Sequence, residues 1–305
     1  MNGWTVDSWV LLSLAAAGFQ TLRFALQKVL STRSLTPTGA TFARFVYSAP
    51  IVAIAMASYL LWTGQGLPTL PSAFWGFAML GGFAQVMATV FVVTLFKSRN
   101  FAVGVTLMKT EVILSVVVGL VLLGETVGLL AFGAILFGLV GVLLLSTPPE
   151  IKGWGWAEMA NRSVALGLGA GLLFAVSAVC YRGASLEIAS EDAVVRAGLT
   201  LSAVTAMQMV GMALWLRLRD ADQILAVWRA RRVAIWIGLM SLAGSFCWFW
   251  AFTLQTAAYV KAVGQVELIF SLLVSVLLFS ERSSWRELAG MAVLSLSILT
   301  LVLVI

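Results

Sequence analysis

The chain has 305 residues, of which 61% are hydrophobic and 10% charged, with a mean hydropathy of +1.02. Soluble domains carry about 25% charged residues, so this composition excludes a water-exposed surface and marks an integral membrane protein. A net charge of +6 would suggest nucleic acid in a soluble protein, but here the basic residues cluster in short connections between apolar runs, where they set topology.

In chain order, ten apolar spans run at 8–30, 37–62, 70–96, 100–123, 126–146, 163–186, 191–216, 231–256, 259–280 and 284–305, each near the ~20 residues a bilayer requires. Met1 to Asp7 lacks the basic start of a secretory signal, and Trp9 to Leu30 is long enough to be the first span. Thr36 before Pro37 predicts an N-cap with proline at the first helical position, and Ser190-Glu191-Asp192 predicts another helix start. The segment 64–71 reads as a loop, and Thr147-Pro148-Pro149-Glu150 ends the fifth span. Spans 4–5 and 9–10 are broken only around Gly124-Glu125 and Ser280-Glu281, which predicts tight hairpins. The polar stretches 147–162 and 217–232 are short for a soluble domain, and Trp154 and Trp156 place the first at the membrane interface.

Two stretches coincide at a single offset of 156 residues: Glu111 falls on Glu267, Ser115 on Ser271, Gly119 on Ser275 and Glu125 on Glu281. Residues at i, i+4 and i+8 share one helix face, so each copy predicts a carboxylate above two small residues. Small residues at that spacing let helices approach closely in a membrane. A carboxylate there faces a cavity or a partner rather than lipid. The chain therefore divides into two five-span units, 1–150 and 160–305. An odd span count forces the second unit to enter the membrane from the opposite side, the inverted repeat of many secondary transporters.

Charge agrees with that inversion. Connections 1–2, 3–4, 5–6, 7–8 and 9–10, counted with the span ends that flank them, carry thirteen Lys and Arg residues, the opposite face only Arg182 at the end of span 6, and the other five are counted within spans. The positive-inside rule then puts both termini outside.

At this point the chain resembles the ten-helix EamA-type branch of the drug/metabolite transporter superfamily. The resemblance rests on the spans ending in Gly124-Glu125 and Ser280-Glu281, on the glycine-containing helices that follow them (Gly133, Gly138, Gly141; Gly290), and on Arg44 in Thr41-Phe42-Ala43-Arg44-Phe45. It implies an all-α membrane protein of ten transmembrane helices in two inverted five-helix repeats, around a cavity lined by spans 1, 3, 4, 6, 8 and 9. Proline often follows the positions of Glu111 and Glu267 in that family; Val112 and Leu268 stand there instead, so the sequence supplies no proline break. The family's usual orientation puts the termini in the cytoplasm, against the charge count.

The intramembrane polar residues give the candidates for substrate binding or coupling: Glu111, Glu267, Lys109, Gln265, Arg23, Gln20, Gln85, Ser115, Ser271, Tyr181 and Trp248. Lys109 and Glu111 are two apart and point to different faces, so their partners should lie on other helices. Glu267 has neutral Gln265 where Glu111 has Lys109, which predicts Glu267 as the carboxylate that exchanges a proton. Arg44, Arg196 and Lys261 lie near span ends, where they can snorkel to the interface. Gly167 to Gly171 has a GxxxG spacing and predicts close helix packing.

The expected activity is secondary transport, with export of a small polar or amphipathic metabolite such as an amino acid. No histidine and no Walker A sequence are present, so neither a metal, a cofactor nor ATP hydrolysis is expected. A lipid or lipid-linked-sugar flippase is the rival within the class. An intramembrane enzyme is the rival outside it, made weaker by the lack of the commonest general base. The expected setting is the bilayer of a bacterial inner membrane, as a monomer or homodimer, with no nucleic-acid partner.

Overall fold

The computed structural model describes residues 7–33, 35–95, 107–146, 162–270, 272–273 and 285–305. Among these residues it is all helical. The helices are α1 (Ser8–Arg33), α2 (Pro37–Thr63), α3 (Ser72–Leu95), α4 (Glu111–Leu123), α5 (Leu129–Ser146), α6 (Arg162–Leu186), α7 (Ala193–Arg219), α8 (Asp222–Arg229), α9 (Arg231–Leu254), α10 (Ala257–Gly264) and α11 (Trp285–Val304). Seven of them are long and apolar enough to cross a membrane, and α4 and α5 are shorter apolar helices. Leu61, Trp62, Leu129 and Trp285 point outward almost fully exposed, an arrangement suited to lipid rather than water.

The local signals act as the sequence predicts. Thr36 caps α2 by accepting from the Gly39 N–H at 3.1 Å. Gly64 and Gly124 close α2 and α4 with φ of 67° and 66°, a conformation that costs glycine nothing. Asp192 caps α7 through the Val194 N–H at 2.8 Å, and its carboxylate also accepts from Tyr59 at 2.8 Å and Gln65 at 3.2 Å. Burial opposes the charge of Asp192, but these hydrogen bonds outweigh it and hold the carboxyl below its ordinary range. The 147–161 stretch and the 9–10 hairpin lie outside the described residues.

Two features differ from the expectation. The first is α8, an amphipathic helix inside the connection at 217–232, too short for its periodicity to stand out. Its Gln223 accepts from the Thr36 N–H at 2.9 Å and the Thr36 hydroxyl at 3.0 Å, tying the 7–8 connection to the start of α2.

The second is that spans 4 and 9 are broken without proline. Residues 107–108 are helical, 109–110 form a turn and α4 begins at Glu111; α10 ends at Gly264, 265–266 form a turn and helix resumes at 267. The breaks coincide at the 156-residue offset. Thr110 closes the first by bonding the Leu107 carbonyl with both its N–H, at 3.1 Å, and its hydroxyl, at 2.7 Å. The second is closed by Gln265 N–H to Ala262 O at 3.2 Å and Val266 N–H to Val263 O at 3.1 Å. These are three-residue closures of the 3₁₀ kind. The ψ values of −11° at Thr110 and −14° at Gln265 lie well short of the α value near −42°. Each break puts a glutamate at the first position of a helix, where the free N–H groups and the dipole favour a negative charge.

The packing pairs helices across the two halves. α3 lies along α6 as α1 lies along α9, while α2 packs on α7, α4 on α10 and α5 on α11. Exchanging the halves maps this set of contacts onto itself. At one end of α2 Tyr59 and Gln65 meet Asp192, and at the other Thr36 meets Gln223.

The α5–α11 contact is close enough to test. A Cβ on Gly141 would lie 2.7 Å from the Leu294 nitrogen and 3.0 Å from the Gly290 oxygen, both backbone atoms that cannot give way cheaply. Nearby, Ser297 donates to the Ala134 carbonyl at 2.7 Å. Gly141→Ala is expected to cost about 1–3 kcal/mol by overpacking. Gly133→Ala, where a Cβ meets nothing within 4 Å, should leave the unfolding midpoint unchanged or slightly raised. Equal effects of the two changes would show that the crossing is not tight.

Candidate functional site

The two broken helices meet through crossed ion pairs. Lys109, in the first break, pairs with Glu267 at the second, and Lys261, on α10, reaches Glu111 at the first with Nζ to Oε2 at 3.2 Å. All four side chains are buried. As expected, Lys109 and Glu111 do not pair with each other. Glu267, set apart in the sequence by its neutral neighbour Gln265, nevertheless has a cation beside it: the turn carries the Lys109 ammonium across to the other half, where Glu267 holds it. Lys261 does not snorkel, since α10 buries it and its ammonium sits 4.9 Å from the Trp248 ring centroid and 5.5 Å from that of Phe174.

Beside the pairs is a central cavity of about 30 Å³, room for a water or two. Its walls come from α1 (Gln20, Arg23), α2 (Arg44), α3 (Gln85), α6 (Phe174, Ser177, Tyr181), α9 (Ser241, Ser245, Trp248, Phe249, Phe252) and α10 (Lys261). The expected lining included span 4 and omitted span 2. In the structure α2 contributes Arg44, and α4 reaches the cavity only through the Glu111 contact with Lys261.

Gln20 joins the two systems. Its Nε2 donates to Glu267 and its Oε1 accepts from Trp248 Nε1 at 3.2 Å. Trp248 stacks on Phe252 with ring centroids 5.7 Å apart, and Tyr181 on Phe249 at 4.3 Å, giving the cavity an aromatic wall. Gln85 accepts from Gln208 at 3.0 Å, and Gln208 also reaches Tyr181 at 3.3 Å. Arg23 donates to Gln27 at 2.8 Å. Arg44 donates from Nε to Ser241 at 2.7 Å, from one terminal nitrogen to Thr89 at 3.3 Å and from the other to Ser245 at 3.1 Å.

Not every predicted residue converges. Gln265 and Lys109 line a second, smaller cavity against α5 and α11, and the buried Gln265 Oε1 has no hydrogen-bond partner among the described residues. Ser115 donates back to the Glu111 carbonyl at 2.6 Å within its own helix and lines neither cavity. Ser271 lies outside the described residues. Gly171 does pack closely, as the GxxxG spacing predicts: a Cβ there would stand 2.9 Å from the Met108 oxygen, so the glycine seats α6 against the first break.

Arg44, Gln208 and the serine pair of α9 are absent from the sequence-derived candidates. The signal for the serines is their spacing, Ser241 and Ser245 lying four apart on one face. Arg44 lies near a span end, but α9 and α3 cover that turn of α2 and bury it.

Comparison with known proteins agrees with this architecture. No curated protein matches the chain. A solved structure described only as "Crystal structure of protein" superposes with a TM-score of 0.71 over 98% of each chain at 16% sequence identity, a likeness of fold alone. Residues 7–147 match the EamA-like transporter family. That segment, which holds α1 to α5 and the first of the two breaks, is similar to the EamA-like transporters of the drug/metabolite transporter superfamily.

Proposed function

We propose that this protein is a secondary active transporter that moves a small polar or amphipathic metabolite through the central cavity by alternating access, in the direction of export and coupled to protons at Glu267. The observation that carries this reading is the pair of matching helix breaks with their crossed Lys–Glu contacts beside a polar and aromatic cavity. Broken helices at the interface of two repeats are how many transporters place charge at mid-membrane without exposing it to lipid. The 156-residue repeat, the exchange-symmetric packing and the sidedness of the connections support ten spans in two five-helix repeats of opposite orientation. The cavity's small volume suits an occluded state that opens to admit a metabolite. Exchange of the crossed contacts supplies the bistable element that such motion needs.

The test is access from both sides. In a protein with Cys180 and Cys247 replaced, Ser177→Cys places a thiol on the cavity wall. Impermeant maleimide should label it from either face of the membrane, with the balance shifting when a ligand or a pH gradient is applied. Labelling confined to one face under every condition would sink the alternating-access reading.

A flippase is the second reading, and one observation favours it. An apolar groove of about 560 Å³ runs between α2, α7 and α9, with walls that include Val52, Met56, Gly198 and Phe246, and it shares Met240 with the central cavity. An acyl chain in the groove would bring a headgroup to the cavity. Translocation of a labelled phospholipid in vesicles that is slowed by Met240→Trp supports this reading; a vesicle that moves only soluble solutes rejects it.

A further inference from the structure

The cavity's charges do not balance. Of the cations around it, Lys261 is matched by Glu111, and Lys109, beside it, by Glu267. Arg23 and Arg44 are each only 4% exposed, and both line the cavity. Their hydrogen-bond partners among the described residues are neutral: an amide for Arg23, and three hydroxyls for Arg44. Among the described residues neither forms an ion pair with a carboxylate. The rings of Phe24 and Phe45, 4.2 Å and 5.1 Å from the two guanidiniums, offset part of the charge, since a ring face attracts a cation without neutralising it.

Two uncompensated guanidiniums in a low-dielectric cavity are expensive, and they repel each other when empty. Their geometry is also incomplete as a purely structural device. A guanidinium has five N–H donors; Arg44 spends three in fixing its plane against α3 and α9, and Arg23 spends one. Both side chains border the cavity, and a guanidinium fork matches carboxylate or phosphate oxygens. The aromatic wall of Tyr181, Phe249 and Trp248 offers an apolar surface for the rest of the same molecule.

We infer that the substrate is an organic dianion, a dicarboxylate or a phosphate monoester, whose charged head is held jointly by Arg23 and Arg44 while its carbon body lies on the aromatic wall. This rests on the transporter reading above and narrows it. A zwitterionic amino acid would leave the cavity as positively charged as it found it, and a cation would add to the repulsion. A dianion brings the site to neutrality.

The test uses the full chain in detergent or lipid nanodiscs, with binding measured by calorimetry against phenyl phosphate, succinate, L-phenylalanine and phenethylamine. One or both dianions are expected to bind, and which of them does separates phosphate from dicarboxylate; the zwitterion and the cation are not. Arg23→Gln and Arg44→Gln should each weaken dianion affinity about ten-fold or more, the worth of a charge-assisted hydrogen bond. Arg23→Gln should melt no lower than the parent without ligand, because it removes an unpaired buried charge, whereas a structural arginine would lower the midpoint. Should Arg44→Gln fail to fold, Arg44→Lys keeps the charge without the fork and is expected to bind dianions weakly but still in preference to cations. Preference for the zwitterion or the cation, no dianion binding at millimolar concentration, or equal dianion affinity in Arg23→Gln and the parent overturns the inference. Two-sided labelling of Ser177→Cys alongside such a result would leave the transporter standing and remove only the dianion. One-sided labelling would remove the transporter reading itself.

Discussion

Lys109→Ala is expected to destabilise the folded protein by about 3–4 kcal/mol at neutral pH, more than the loss of any single hydrogen bond in it. Lys109 and Glu267 are buried to 1% and 6% exposure, and removing one member of a buried ion pair strands the other at a cost of about 3–5 kcal/mol. A hydrogen bond between neutral side chains of membrane helices averages only about 0.6 kcal/mol, so a loss several times larger identifies a stranded charge. Protonation sets its ceiling. Neutralising a carboxylic acid of ordinary strength costs about 3.7 kcal/mol at pH 7 and about 1 kcal/mol at pH 5. The defect of Lys109→Ala should therefore shrink as the pH is lowered, and Lys109→Ala with Glu267→Gln should recover most of the parent's unfolding midpoint. A defect equal at both pH values and untouched by the second substitution would mean that Lys109 serves packing alone. Lys261 and Glu111 should behave alike but recover less, because the Lys261 ammonium also sits over Trp248 and Phe174.

The contrast between these two pairs shows where the sequence was legible. Periodicity and length marked the described helices because a bilayer imposes both on every span. Thr36, Gly64, Gly124 and Asp192 marked helix ends because caps and left-handed turns restrict residue type locally. The breaks at 109–110 and 265–266 left no such mark. A helix tightened by 3₁₀ closures needs no particular residue, and Thr110 differs from a mid-helix threonine only in which carbonyl it bonds. The one legible trace was their coincidence at the 156-residue offset, which placed two glutamates in equivalent positions without saying that a helix begins at each.

Side-chain partners were less legible still. Glu111 and Lys261 are 150 residues apart, and nothing in the local pattern of either names the other. Arg44 illustrates the same limit: distance from a span end suggests snorkelling, but whether an arginine can reach water depends on what covers that turn. Here Ser241 and Ser245 of α9 and Thr89 of α3 cover it.

Transport driven by a proton gradient should be lost in Glu267→Gln, while exchange of substrate for substrate continues. Contacts, rather than the neutral neighbour Gln265, distinguish Glu267 from Glu111. Glu267 accepts from Gln20, and Gln20 and Trp248, which bond each other, both line the cavity. Loading Glu267 with a proton would loosen Lys109 and reorient Gln20 at the edge of the substrate site without removing any cavity wall. Glu111 lacks that separation, because its partner Lys261 is itself part of the wall, so neutralising Glu111 disturbs the substrate site directly. Glu267→Gln alone strands Lys109, so the decisive variant is Glu267→Gln with Lys109→Met, which removes both charges and keeps the Gln20 hydrogen bond. In vesicles loaded with a solute that stabilises the purified protein, this double variant is expected to catalyse counterflow at a rate near the parent's but to build no gradient when a pH difference is imposed. Glu111→Gln with Lys261→Met is expected to lose counterflow as well. Coupling requires a group that binds a proton in one conformation and releases it in the other, whereas exchange requires only that the loaded carrier reorient. If the Glu267–Lys109 double variant concentrates solute as well as the parent does, the carboxylate at the second break holds the two halves together and takes no part in energy coupling.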